Sequence, residues 1–173
     1  MFEAQSTSRR RSGPKAWRLL VIGSLFAFAF SIFSLPAWAA LGGDISTVQA
    51  DQVQMRGTLR STVTAAYTVH EIQGTSGLVV REYVSSTGKS AGKVFAIAWQ
   101  GPWPPDMRQL LGSYFDPYIQ AARARSGPGM ARRPLMIEEP GLVVQAGGHP
   151  RSFIGRAYIP DQLPSNVTAE EIR

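Results

Sequence analysis

The chain has no cysteine and only two histidines, and charged residues make up 17% of it. Without cysteine there is no disulfide, no thiol nucleophile, no Cys-ligated zinc and no iron–sulfur cluster, so packing alone must hold the fold. Two histidines set far apart, His70 and His149, provide no ligand-spaced cluster for a metal, and no cofactor is expected. The net charge of +6 points at first to nucleic acid, but residues 1–39 hold five of the 18 basic residues and one of the 12 acidic ones. The remainder carries 13 basic against 11 acidic residues, so nucleic-acid binding loses its main support.

The basic segment has a different purpose. Arg9, Arg10, Arg11, Lys15 and Arg18 precede an apolar run from Leu19 to Leu35, Pro36 breaks it, and Ala37-Trp38-Ala39 supplies small residues. That order is a secretory signal, expected to be cleaved between Ala39 and Ala40, which leaves residues 40–173 as a single exported α+β domain. The competing reading is an uncleaved anchor, which would make membrane attachment possible through this segment alone; its 17 residues are at the short end of a bilayer span.

Along the exported part, Ser46-x-x-Gln49 resembles a capping box that opens a short helix with Val48 and Met55 inward. From Thr58 the period becomes two, which predicts a strand to about His70 and beyond, a turn at Gly74-Thr75-Ser76-Gly77, a second strand over 78–84 and a third over 94–99. SSTGKSAGK (85–93) reads as a flexible loop. Pairing Ile72 with Leu78 and Val84 with Val94 places Leu59, Val63, Tyr67, Val69, Val79, Tyr83, Phe95, Ile97 and Trp99 on one aromatic face. The opposite face is smaller and mixed, with Thr68, His70, Val80, Glu82, Ala96 and Ala98.

In FAIAWQGPWPPDMRQLL (95–111) the prolines end the sheet near Gln100, and Asp106-x-x-Gln109 fits a helix cap whose Gln109 reaches back. Met107, Leu110, Leu111, Tyr114, Phe115, Tyr118 and Ile119 form its apolar stripe, for which the aromatic sheet face is the expected partner. Pro117 predicts a kink or two abutting helices across 106–125. A basic loop, SGPGMARRP (126–134), leads to strands over about 135–146 and 151–159, joined at Gly147-Gly148, with a bend at Pro140-Gly141. The tail NVTAEEIR is expected to end in one turn capped by Thr168. The expected fold is therefore α+β: a curved antiparallel sheet, a β-meander plus a C-terminal hairpin, packed against one long kinked helix.

The segments ALGG, YTVHEIQ, VREYV, FAIAWQGP, MRQLLGSYF, PGLVVQAGGH and GRAYIP follow one another here. Together they resemble the secreted proteobacterial family catalogued as domain of unknown function 2844, with the long SSTGKSAGK loop and Pro117 as local departures. The resemblance implies an exported protein and no established catalytic residue.

Motifs of catalysis fail on spacing. A phosphate loop needs Gly, four residues, then Gly-Lys-Ser/Thr; Tyr83 stands where the first Gly before Gly88-Lys89-Ser90 belongs. GTSG is one residue short of a nucleophile elbow and sits in a hairpin. His70, with Glu82 a diagonal step away, is the one candidate acid–base pair, and it underlies the alternative reading of an envelope hydrolase. Arg81 points into the aromatic face with Glu71 as its partner, His149 flanks a turn, and Asn166-Val167-Thr168 matches a sequon by chance. Trp99 belongs to the core, while Trp103 lies beyond the strand and caps the seam or stands exposed. The leading reading is a non-catalytic binding or accessory module of the cell envelope, contacting a protein or polymer through the mixed face or a sheet edge. N-terminal sequencing of the exported protein is expected to begin at Ala40; a chain retaining its apolar segment would establish the anchor instead.

Overall fold

A computed structural model describes residues 41–125 and 133–173. The expected signal and its cleavage site lie outside these residues, as does most of the basic loop. Helix α1 (Ile45–Gln54) precedes strands β1 (Thr58–Val63), β2 (Tyr67–Gln73), β3 (Val79–Ser85) and β4 (Val94–Gly101). Helix α2 (Met107–Leu111), a 3₁₀ turn (Gly112–Tyr114) and helix α3 (Phe115–Ala124) follow. Strands β5 (Leu135–Glu139), β6 (Leu142–His149) and β7 (Ser152–Tyr158) and two 3₁₀ turns complete the order. All seven strands join one antiparallel sheet in the order β1-β2-β3-β4-β7-β6-β5, so the α+β class is as expected.

The register departs from expectation in two ways with different consequences. Gly74 N–H donates to the Leu78 carbonyl at 2.8 Å, closing the β2–β3 hairpin there, so Ile72 opposes Val80 and not Leu78. This slip of two residues leaves every side chain on its expected face. Between β3 and β4, Val84 opposes Val94 as expected, but the next pair is Tyr83 with Ala96. Phe95 is the extra residue of a bulge. Beyond it the parity of β4 is reversed: Ile97 opposes Glu82 and Trp99 opposes Val80.

The expected aromatic face is thereby split. Ile97 and Trp99 join Ile72, Val80 and Val84 in a core closed by Val48 of α1, Leu110 and Leu111 of α2 and Ala121 of α3. The single strand expected from Thr58 past His70 is two, β1 and β2, with the chain turning back between Val63 and Tyr67, so Leu59 opposes Ile72 and packs on this side too. The helices therefore cover the face expected to be mixed and open. Tyr67, Val69, Tyr83 and Phe95 remain on the other face with Ala96 and Ala98, covered by Leu163, Val167 and Ile172 of the C-terminal tail. Tyr67, Tyr83 and Phe95 pack edge-on or tilted, with ring centroids 5.7–6.2 Å apart.

Caps and turns follow local chemistry. The first helix is capped by Asp44, which accepts from Ser46 N–H, rather than by Ser46. Asp106 caps α2 as expected, accepting from the Arg108 and Gln109 amides. The break in the long helix falls at Gly112, whose φ is +52°, and not at Pro117. Pro117 occupies the first turn of α3, where an N–H has no intrahelical partner to lose. Pro140-Gly141 is the turn between β5 and β6, with Gly141 at φ +77°, rather than a bend within one strand. Gly147 and Gly148 lie inside β6, and the β6–β7 turn is Pro150-Arg151, with Arg151 at φ +70°. Thr168 caps the terminal turn as expected, its amide bonded to Glu171 Oε1 at 2.9 Å.

Trp99 is 3% exposed and Trp103 is 61% exposed. A side chain at Gly155 would run into the Trp99 indole, so glycine there makes the room in which the ring lies. Trp99→Ala should cost about 3–5 kcal/mol of stability and Trp103→Ala no more than about 0.5 kcal/mol. Urea unfolding followed by circular dichroism measures both; equal losses would contradict this division.

Candidate functional site

Two places gather polar side chains. The first is closed. His70 and Glu82, expected to be diagonal, are directly opposed across β2 and β3 on the helix-covered face. Glu82 is 1% exposed and Asp51, from α1, is 2% exposed; the two carboxyls are hydrogen-bonded. Gln109 of α2 donates its side-chain amide to Asp51 Oδ1. The expected reach of Gln109 back to the cap is not made: its main-chain amide donates to Asp106 Oδ1, while its side chain turns to Asp51.

Burial governs the charge of this cluster. It pushes Glu82 well above the ordinary carboxyl range, with the hydrogen bond to Asp51 and its nearby charge adding to the rise. Asp51 rises as well, again through burial, although its bonds to Glu82 and Gln109 oppose the rise. Glu82 is therefore the proton holder and donates to Asp51. Burial lowers His70, keeping its imidazole neutral. Ser61, opposite His70 on β1, lies 2.8 Å from His70 Nδ1. Ser61, His70 and Glu82 thus form one cross-strand row with the residue types of a hydrolytic triad. The row is not joined: His70 Nε2 and Glu82 Oε1 are both buried without a hydrogen-bond partner. No group of three metal-binding side chains occurs among the described residues.

The second place is open and lies on the tail side of the sheet. Register aligns Glu71, Arg81, Ala98, Arg156, Gln145 and Met136 across six strands. Arg81 Nε bonds Glu71 Oε2 at 2.8 Å, the partner expected, though directly opposed rather than diagonal. Arg156 Nε bonds Gln145 Oε1 at 2.7 Å, and its guanidinium also reaches the Ala169 and Ile172 carbonyls. Tyr83 donates its hydroxyl to the Arg173 carbonyl at 2.8 Å and accepts from the Arg173 amide at 3.0 Å. These bonds fix the tail over one half of this face. The other half is a groove of about 660 Å³ between Arg81, Arg156, Ile172 and the ends of β5 to β7. Ile154 and Met136, 58% and 52% exposed, line it.

Of the residues singled out from sequence, His70 and Glu82 come together in the closed cluster and Arg81 lines the groove. Trp103 stands exposed apart from both, and so does His149, whose Nδ1 approaches the Pro150 carbonyl at 3.1 Å. Sequence reasoning missed Asp51, Gln109, Ser61, Arg156 and Ile154. Asp51 had a signal: it sits three residues after Val48 on the inward face of α1.

A seven-stranded antiparallel sheet, one face packed with helices over a carboxyl pair and the other half-covered by its own tail, defines a small α+β protein with an open groove on the tail side. The chain belongs to the family described as "Protein of unknown function (DUF2844)", whose model matches residues 37–172. Comparison with curated proteins and with solved structures gives no match.

The buried carboxyls make stability depend on pH. Glu82 binds its proton more tightly folded than unfolded, so its contribution is full below about pH 4.5 and declines as pH rises toward its folded pKa. His70, lowered from 6.5, contributes in the opposite sense, gaining as pH rises toward 6.5 and level beyond. Glu82→Gln, which keeps shape and donor without a charge, should therefore gain on wild type between about pH 5 and about pH 8. Urea unfolding at the two pH values checks this; an unchanged difference would refute it.

Proposed function

We propose that this chain is an exported cell-envelope protein that acts as a non-catalytic binding module, with the tail-side groove as its contact surface. The observation that carries this reading is the groove itself, where exposed Ile154 and Met136 lie beside Arg81 and Arg156 on a rigid sheet. Exposed apolar residues beside a few fixed polar groups are the usual composition of a ligand site, and about 660 Å³ is within the usual range of such sites. Export rests on the order of basic, apolar and small residues before Ala40.

The competing hydrolase reading draws on the row of Ser61, His70 and Glu82. Against it, a substrate would have to reach Glu82 beneath α1 and α2, and Glu82 already donates to Asp51. The mixed face expected as a contact surface is also unsuitable, since the helices pack on it.

The test is affinity capture from the cell envelope with wild type and with Ile154→Asp, a change at an exposed position. A component of the captured material, small molecule or polymer, is expected to fall at least about tenfold in the variant, the equivalent of about 1.4 kcal/mol of binding. Identical captured material would remove the groove as the contact surface.

A further inference from the structure

We propose that the groove takes a carboxylate-headed acyl chain, its head on Arg81 and Arg156 and its hydrocarbon along Ile154 and Met136. The inference rests on the binding-module reading and names the class of ligand.

The head-group position follows from the strand register. Arg81 and Arg156 both oppose Ala98, one from each side. Strand spacing puts their main chains about 10 Å apart; the tail's Ile172 packs in the same cluster as Ala98 between them, and both arginines line the groove beside Ile172. Two long side chains at one end of a groove can both reach a small group seated there. Arg81 spends Nε on Glu71, and among the described residues its two terminal amino groups have no acceptor. Those two groups form the planar fork that a carboxylate fits with two parallel bonds. Arg156 is held by neutral acceptors only, Gln145 Oε1 and two main-chain carbonyls, and among the described residues it has no carboxylate partner. Its charge is thus fixed in place, felt by Glu170 but not closed in an ion pair, which favours an anion at this end.

The tail position follows from the next row of the sheet. Val79, Gln100, Ile154 and Gly147 follow one another across β3, β4, β7 and β6. Gly147 carries no side chain, so the surface drops beside Ile154 and continues to Pro134 and Met136 on β5. An apolar trough that starts at two arginines and runs away from them suits a molecule with one charged end. A wholly polar anion would leave Ile154 and Met136 in water, and a neutral hydrocarbon would leave the two terminal amino groups of Arg81 without an acceptor.

The experiment is isothermal titration of the purified full chain with monomeric dodecanoate, dodecan-1-ol and acetate. Saturable one-to-one binding of dodecanoate is expected, at least about tenfold tighter than of the alcohol, with no binding of acetate. Arg81→Met, which keeps the apolar stem, and Ile154→Asp should each weaken dodecanoate at least about tenfold. Unchanged melting temperatures for both variants would show that the loss is local. Absence of saturable dodecanoate binding, equal affinity for the alcohol, or unchanged affinity in both variants would overturn the proposal. If dodecanoate fails to bind while captured material still depends on Ile154, the ligand class is wrong and the binding-module reading stands.

Discussion

The constraint on which the rest of the structure depends is the bulge at Tyr83 and Val84. One extra residue, Phe95, lets β4 change sides partway along its length. Before it, Val94 faces the helices; after it, Ile97 and Trp99 do, while Phe95, Ala96 and Ala98 are given to the tail. Since β4 is the central strand, this change lets one segment serve two cores. Without the bulge, Ile97 and Trp99 would crowd the tail and Ala96 and Ala98 would face α2, leaving a void on one side and a clash on the other.

The two faces then diverge in character. On the helix side the core is closed by α1, α2 and α3, and His70, Glu82, Asp51 and Gln109 are enclosed with it. Asp51 and Glu82 tie α1 to the sheet, and Gln109 adds α2, so the two helices packed on β3 are fixed by one shared hydrogen-bonded group. A buried acid pair of this kind is tolerable because one member keeps its proton, which avoids placing two charges in a dry core. On the tail side the cover is a stretch with only two 3₁₀ turns, held by Arg156, Tyr83 and the cap at Thr168. It reaches only part of the sheet, and the groove is the part it leaves.

Much of this was legible in the residue pattern, and the failure with the largest consequence came from strand parity. Alternation identified β3 and β4 but ran β1 and β2 together as one strand, the Asp106 cap identified the start of α2, and three prolines identified the end of the sheet. The β2–β3 slip was harmless because it was even. The bulge was not, because a single extra residue reverses parity, and no local signal in VFAIAW distinguishes a bulged strand from a straight one. The sealed cluster was half legible: His70 and Glu82 share a face under either β2–β3 register, but Asp51 lies some thirty residues before Glu82 on a helix whose docking depends on the sheet. The groove was not legible at all. It needs β4 to pair with β7, a partner more than fifty residues away, to bring Arg156 beside Arg81.

By itself, then, the sequence determined the α+β class, the strand periodicity, the caps at Asp106 and Thr168 and the absence of any thiol chemistry. These depend on neighbours within a few residues, where backbone geometry and hydrogen-bond supply leave little choice. Tertiary structure decided which face the helices cover, which carboxyl keeps a proton and where the surface stays open. Those outcomes depend on pairing between distant strands and on the solvent that each pairing excludes, and no short stretch of chain carries that information.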